Sequence, residues 1–343
     1  MTHLHMKPQQ TDGTLETGST AQQTGSPVMP FIAGPGTTEL SHDIADYPGG
    51  IVIPIDKPYR WTSADVIRKV KFAACRHFGK KNLKVGHAGT LDPLATGVLL
   101  VCIGNATKLA ESFQSHDKEY VAGVTFGATT PSYDLEKEID RFFPHSHITK
   151  DSITEALRQF VGEQDQIAPL FSAKSVDGVR AYELARKLFR ESGQDALDNA
   201  VEEGTFDQTA KELIRSSRIN ISSLELLSFR PSSDNAPAQD VEGKADTAPE
   251  DPPKKTEPQT EELSKASARI NVTDNSSLGL PRATIRMACS KGTYVRAFAR
   301  DLGEALGSGA HLDSLQRSRS GDFCVEQAIT VSQAVSLLTP RQD

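Results

Sequence analysis

At 343 residues, with a formal net charge of −7 and a mean hydropathy of −0.40, the chain could hold one large domain or two modest ones, yet it is too polar to be packed throughout. No apolar run reaches the roughly 18 residues that span a membrane, and the amino-terminus lacks the basic-then-apolar order of a secretory signal, so a soluble cytoplasmic protein is expected. Cys75, Cys102, Cys289 and Cys324 stand far apart with no CxxC pair, which argues against zinc and disulfide frameworks and predicts free thiols.

Residues 1–48 are rich in Thr, Gln, Gly, Ser and Pro and predict a disordered tail, because such a segment buries too little surface to offset its ordering entropy. A folded domain is then expected over 49–335. It opens with a strand from Gly50 to Ile55, which Asp56-Lys57-Pro58 ends. Thr62-Ser63-Ala64-Asp65 offers a helix cap, with Val66, Val70 and Ala74 at helical spacing behind it.

Lys84 to Ala110 reads KVGHAGTLDPLATGVLLVCIGNATKLA. Its second half, Val98 to Ile103, is an unbroken apolar run and predicts a strand buried on both faces. Its first half is a glycine-rich loop with one carboxylate, Asp92, followed by Pro93. Asp-Pro on its own is a common turn opener, since the side chain can bond its own backbone while Pro fixes φ.

Beyond this loop, Tyr120 precedes an alternating strand over 121–127, and Thr129 to Asp134 reads as a turn. Asp151 to Glu155 has helix-capping chemistry and leads into Ala156, Leu157 and Phe160. Residues 166–174 predict a loop and 178–186 a turn with an amphipathic helix. Two insertions follow: about 190–212, acidic and helix-compatible, and about 231–280, Pro-rich and expected to be disordered. Residues 283–289 then predict a strand that passes through Lys291-Gly292 into a helix with apolar face Val295, Phe298, Ala299, Leu302 and Leu306. Arg296 and Arg300 fall off that face, and 336–343 form a C-terminal tail.

The tail and the two insertions carry nets of −4, −5 and −5, which leaves the other 222 residues at +7. The acidity therefore belongs to the appendages. A basic remainder suits a phosphate-backbone ligand, whose neutralised phosphates release counterions.

GHAGTLDPLATGVL resembles the signature of the TruB family of pseudouridine synthases, which act on the T-loop uridine of transfer RNA. The likeness extends to Asp56-Lys57-Pro58, Thr62-Ser63, residues 166–174 and 178–186, Cys289 to Arg296, and Gly309 to Arg317. Arg60 stands where the family has Gly, and Pro131 departs from its T-D-T pattern. The resemblance implies an α+β pseudouridine synthase fold, a mixed, mostly antiparallel central sheet flanked by helices. It also implies tRNA pseudouridine(55) synthase activity, with no cofactor and no metal, tRNA through its T-arm as partner, and a monomer. Many relatives carry a C-terminal RNA-binding domain, for which the chain ending at Asp343 is expected to have no room.

In the family's terms Asp92 is the catalytic carboxylate, Arg296 its partner, and Tyr120 the ring placed against the target base. His87 would fill the space of the flipped nucleotide, and Lys57, Lys118, Lys174, Tyr294 and Arg317 would contact RNA. Two other readings compete: a catalytically idle RNA-binding or tRNA-folding module on the same fold, and an unrelated carboxylate hydrolase. Retention of Asp92, Tyr120 and Arg296 together disfavours the idle module. The lack of a second acid at any motif position disfavours the hydrolase.

Overall fold

The computed structural model describes residues 28–169, 175–176, 179–180, 216–233, 243–244 and 270–339. The helix expected after Arg180, the acidic insertion 190–212 and Lys174 lie outside the described residues. So do most of the Pro-rich insertion and the last four residues.

The apolar run becomes strand β4, Ala95–Ile103, buried at every position except Thr96. Val98, Leu100 and Cys102 pack on one face with Val52, Ala88 and Ala106. Leu99, Val101 and Ile103 face the main core together with Ile51, Ile53 and Ile55. A strand this apolar needs cover on both sides, and the chain supplies it.

Around β4 lie β1 (Phe31–Ile32), β2 (Ile51–Lys57), β3 (Val85–Ala88), β5 (Lys118–Phe126), β8 (Gly162–Gln166) and β11 (Ser217–Arg230). The set is completed by β13 (Arg282–Cys289), β14 (Ala310–Ser320) and β15 (Phe323–Cys324). These ten strands form one sheet in the order β1-β2-β4-β14-β5-β13-β11-β8, with β3 also on β4 and β15 on β14. Only β1/β2 and β4/β14 pair in parallel; the other described pairs in the sheet are antiparallel. Short pairs lie beside it: β6 (Ala128–Thr129) with β7 (Arg141–Phe142), and β9 (Ser175–Val176) with β10 (Val179–Arg180).

Five α-helices flank the sheet among the described residues. The helix α1, Ser63–His77, is closed by a capping box in which Thr62 and Asp65 exchange side-chain and backbone bonds. After α2 (Ala110–Ser115) comes α3, Lys150–Arg158, which starts earlier than the sequence suggested because the Thr149 hydroxyl, not Asp151, caps it. The helix α4, Val295–Ala305, buries Val295, Phe298, Ala299 and Leu302 as its periodicity predicts, and α5, Val331–Leu337, packs beside α1.

Three expected boundaries are corrected. The C-terminal tail does not begin at 336, since α5 runs to Leu337 and Leu338 is buried. The N-terminal tail does not reach residue 48, since Phe31–Ile32 pairs with β2, Ala33 and Leu40 are buried, and Phe31 meets Tyr47 edge-on at 5.3 Å. Strand pairing on the edge of β2 and burial of Ala33 and Leu40 dock the segment, while Phe31 and Ile32 themselves stay exposed. The disordered insertion likewise does not reach residue 280. Thr273 donates its backbone N–H to Leu135 at 2.8 Å, Ser233 donates to Gly279 at 2.8 Å, and Leu280 is buried. Within the insertion Gly243–Lys244 also pairs with β7. The folded part thereby gains Glu39, Asp43, Asp46 and Asp274, so its basic surplus is smaller than the sequence count.

These contacts separate two deletions. Replacing 245–269 with a Gly/Ser linker should leave the melting temperature nearly unchanged. Extending the replacement to all of 231–280 should cost about 2–4 kcal/mol, through the lost Leu280 packing and Thr273 bonds, as read by denaturant unfolding.

Candidate active site

The loop from Gly89 to Leu94 leaves β3 and enters β4 at the centre of the sheet. Asp92 to Ala95 is a turn, closed by the Ala95 N–H on the Asp92 carbonyl at 3.1 Å, so the turn-former reading of Asp-Pro holds for the backbone. The carboxylate does something else. Its Oδ2 accepts from Arg296 Nε at 2.9 Å and its Oδ1 from Arg296 Nη2 at 3.0 Å, a two-bonded fork. The Asp92 side chain stays 37% exposed while that of Arg296 is 5% exposed, so the pair presents its acidic side to solvent.

Arg296 lies in the first turn of α4, off the apolar face as expected, yet buried. A cation there opposes the helix dipole and needs compensation. It comes from Asp92, from the Ser132 carbonyl, which accepts from Nη1 at 3.1 Å, and from Asp134, whose Oδ2 stands 3.7 Å from Nε. Asp134 is fixed by the Ser132 hydroxyl at 2.6 Å and the Glu136 N–H at 2.9 Å. Burial raises its pKa against the opposing charge of Arg296. Burial works to lower the arginine's own pKa, but Asp92 and Asp134 outweigh it and the net direction is up. The guanidinium is therefore permanently charged and shared between two carboxylates.

Gln166 completes the helix start. Its Oε1 accepts from the Tyr294 N–H at 2.8 Å and its Nε2 donates to the Tyr294 carbonyl at 3.1 Å, so β8 caps a helix whose own N-cap residue makes no side-chain cap bond. The roles of Asp134 and Gln166 were missed in the sequence. Asp134 matches the family's turn pattern, but each of the two acts through a partner more than a hundred residues away, which local sequence does not show.

Tyr120 lies on β5, opposite Arg317 on one side and Met287 on the other, and is 8% exposed. Burial raises its pKa, with the Arg317 charge opposing. His87 is half-buried on β3, its Nδ1 has no hydrogen-bond partner among the described residues, and burial, then Arg317, holds its pKa below the usual value. A recess of about 20 Å³, room for one water-sized group, opens between Asp92, Asp134, Arg296 and Leu312–Leu315.

Three expected RNA contacts are corrected by burial. Lys57 is fully buried, and its ammonium donates to the carbonyls of Pro58 at 2.9 Å, Trp61 at 2.5 Å and Pro93 at 3.1 Å. All three of its protons are used inside the protein. Burial pulls its pKa down to about 7. Lys118 likewise donates to the carbonyls of Phe113, Gln114 and His116. Arg317 is 1% exposed and bonds to Val98 and Gly89. Chain position suggested surface cations, but the turns packed over them, at Pro58–Trp61, at Phe113–His116 after α2 and at Gly89, present carbonyls that need buried donors. Tyr294 remains partly open beside α4. Arg60, at φ 64, occupies the left-handed region that the family's Gly would enter freely, and it donates to the Ile270 carbonyl at 3.2 Å. Among the described residues no group of three or more His, Cys, Asp or Glu side chains is placed to hold a metal, and no helix is long and apolar enough to cross a membrane.

The site is a single carboxylate forked to a buried arginine, in a glycine-rich loop at the centre of a long, mostly antiparallel sheet. The profile of the TruB family pseudouridylate synthase N-terminal domain matches residues 76–197. The tRNA pseudouridine synthase B of Phocaeicola vulgatus is 43% identical over 282 residues, covering 82% of this chain and 90% of that protein. Those of Bacteroides thetaiotaomicron and Deinococcus radiodurans are 43% and 35% identical, covering 82% of this chain in each case and 89% and 77% of theirs. Among solved structures, a chain of a Cbf5–Nop10–Gar1 complex aligns with a TM-score of 0.47 at 24% identity, over 84% of this chain and about half (54%) of that one. The chain belongs to the TruB family of pseudouridine synthases.

The carbonyl-binding role of Lys57 predicts a stability effect. Lys57→Met leaves three buried acceptors without donors and should cost about 2–5 kcal/mol in denaturant unfolding. A phosphate-contact lysine would instead leave stability unchanged and flatten the salt dependence of RNA binding.

Proposed function

We propose that the chain isomerises uridine to pseudouridine in the T-loop of tRNA, at position 55, as a cytoplasmic monomer that needs no cofactor. The reaction breaks the N1–C1′ bond, turns the uracil and forms a C5–C1′ bond. The proton leaves C5 and N1 regains one, so atoms and electrons balance without an oxidant. It needs a carboxylate beside the ribose and a base drawn out of its stack.

Asp92 supplies that carboxylate, either as nucleophile at C1′ or as the base in a glycal route. Arg296 fixes its plane through two bonds from a guanidinium, while the exposed side of the carboxylate remains for substrate. Asp134 and Ser132 hold the guanidinium from behind. Tyr120 lies against the base and assists at C5, and His87, neutral by burial, occupies the space the nucleotide leaves. Tyr294 and Lys174 extend the RNA contact. The observation that carries this reading is the Asp92–Arg296 fork: a mere turn former has no need of a buried arginine, and an idle RNA module has no need of an oriented, half-exposed carboxylate.

Asp92→Asn tests it. Asn keeps the shape and the turn but loses the charge and the nucleophilic oxygen, so single-turnover pseudouridine formation should fall by about 10³ or more while the tRNA Kd stays within about threefold. A variant that keeps more than about a tenth of wild-type turnover would remove Asp92 from the chemistry, because a tenfold effect is only about 1.4 kcal/mol of barrier.

A further inference from the structure

One edge of β4 serves two partners. The parallel strand β14 pairs with it along Ala95–Gly97, and β3 pairs antiparallel along Leu100–Ile103, so Val98 and Leu99 fall between the two ladders. Arg317, on β14 level with both Gly97 and Tyr120, turns its side chain to this break. Its Nε donates to the Val98 carbonyl at 2.7 Å and its Nη2 to the Gly89 carbonyl at 3.0 Å. Gly89 opens the loop that carries Asp92, and Val98 lies just beyond its return into β4. One planar guanidinium therefore bonds both stems of that loop.

The glycines around it make room for this arrangement. At Gly97, φ +97, an added Cβ would come within 2.2 Å of the Arg317 carbonyl oxygen. At Gly89, φ +84, a Cβ would stand 3.4 Å from Arg317 Nη1. Among the described residues no carboxylate pairs with Arg317, although it is almost wholly buried. A buried cation held by carbonyls and the Tyr120 hydroxyl, with no carboxylate, is costly to keep, and a neutral packing residue would serve a strand ladder at less cost. Its charge also adds to burial in holding His87 and Lys118 below their usual pKa values.

We infer that Arg317 is a positioning residue for the reaction, which clamps the two stems of the Asp92 loop so that the carboxylate meets Arg296 and the ribose in one geometry, and which makes no RNA contact. This rests on Asp92 being the reacting carboxylate. Asp56 and Lys57 brace the same loop from its other side, through the Gly97 N–H at 2.9 Å and the Pro93 carbonyl at 3.1 Å.

The test compares full-length wild type, Arg317→Lys and Arg317→Gln for single-turnover rate at saturating tRNA, tRNA Kd over a range of salt, and melting. A lysine keeps the charge but cannot span both carbonyls, so its rate should fall at least about tenfold; glutamine should lose about 100-fold, the cost of a roughly 1 Å misplacement. The Kd should stay within about threefold with an unchanged salt slope, and Arg317→Lys should melt within a few degrees of wild type. Three results overturn the inference: weakened binding with a shallower salt slope at an unchanged rate, which makes Arg317 a phosphate contact; an unchanged rate; or loss of cooperative melting in both variants, which assigns Arg317 to the fold at large. A wild-type chain inactive on tRNA removes the functional reading and this inference with it, whereas an active wild type with equally active variants removes the inference alone.

Discussion

Arg296 is a guanidinium held almost wholly out of water at the positive end of a helix, a place where a cation is stable only if carboxylates come to it. Asp92 and Asp134 both do, one through a two-bonded fork and the other from 3.7 Å behind. Removing one acid from such a group leaves part of a buried charge uncompensated, so the helix start, the Ser132–Asp134 turn and the Asp92 loop are tied to one electrostatic condition. The same condition keeps one face of Asp92 open and its plane fixed, which is what carboxylate chemistry on a ribose requires.

The loop that carries Asp92 is glycine-rich because it must turn sharply between two strands, and its carbonyls are left without strand partners. Buried cations answer them: Lys57 at Pro93, and Arg317 at Gly89 and Val98. Residues that resemble RNA contacts in a linear reading thus become part of the scaffold that holds the site.

Much of this was legible in the sequence. The β4 strand, the α1 capping box and the apolar face of α4 follow from local pattern alone, since period, cap and turn chemistry agree at each. The pairing of Asp92 with Arg296 was legible only through the resemblance, because nothing in local sequence joins residues 204 positions apart. What stayed hidden was burial. Lys57, Lys118 and Arg317 sit beside other charged residues, Asp56, Asp117 and Arg319, in local sequence that gives no sign of the carbonyls folded over them. Ala33, Leu40 and Leu280 are isolated apolar residues inside biased segments, too sparse to mark docking, yet each is buried once a sheet edge or a core surface is present.

The central claim is that this carboxylate–arginine site rearranges one uridine of tRNA. Incubating the purified chain with an unmodified tRNA transcript and mapping pseudouridine along it tests this most directly. The account predicts pseudouridine at the single T-loop uridine, position 55, in stoichiometric yield without added cofactor. An unmodified T-loop after complete recovery of folded protein and folded tRNA would contradict it.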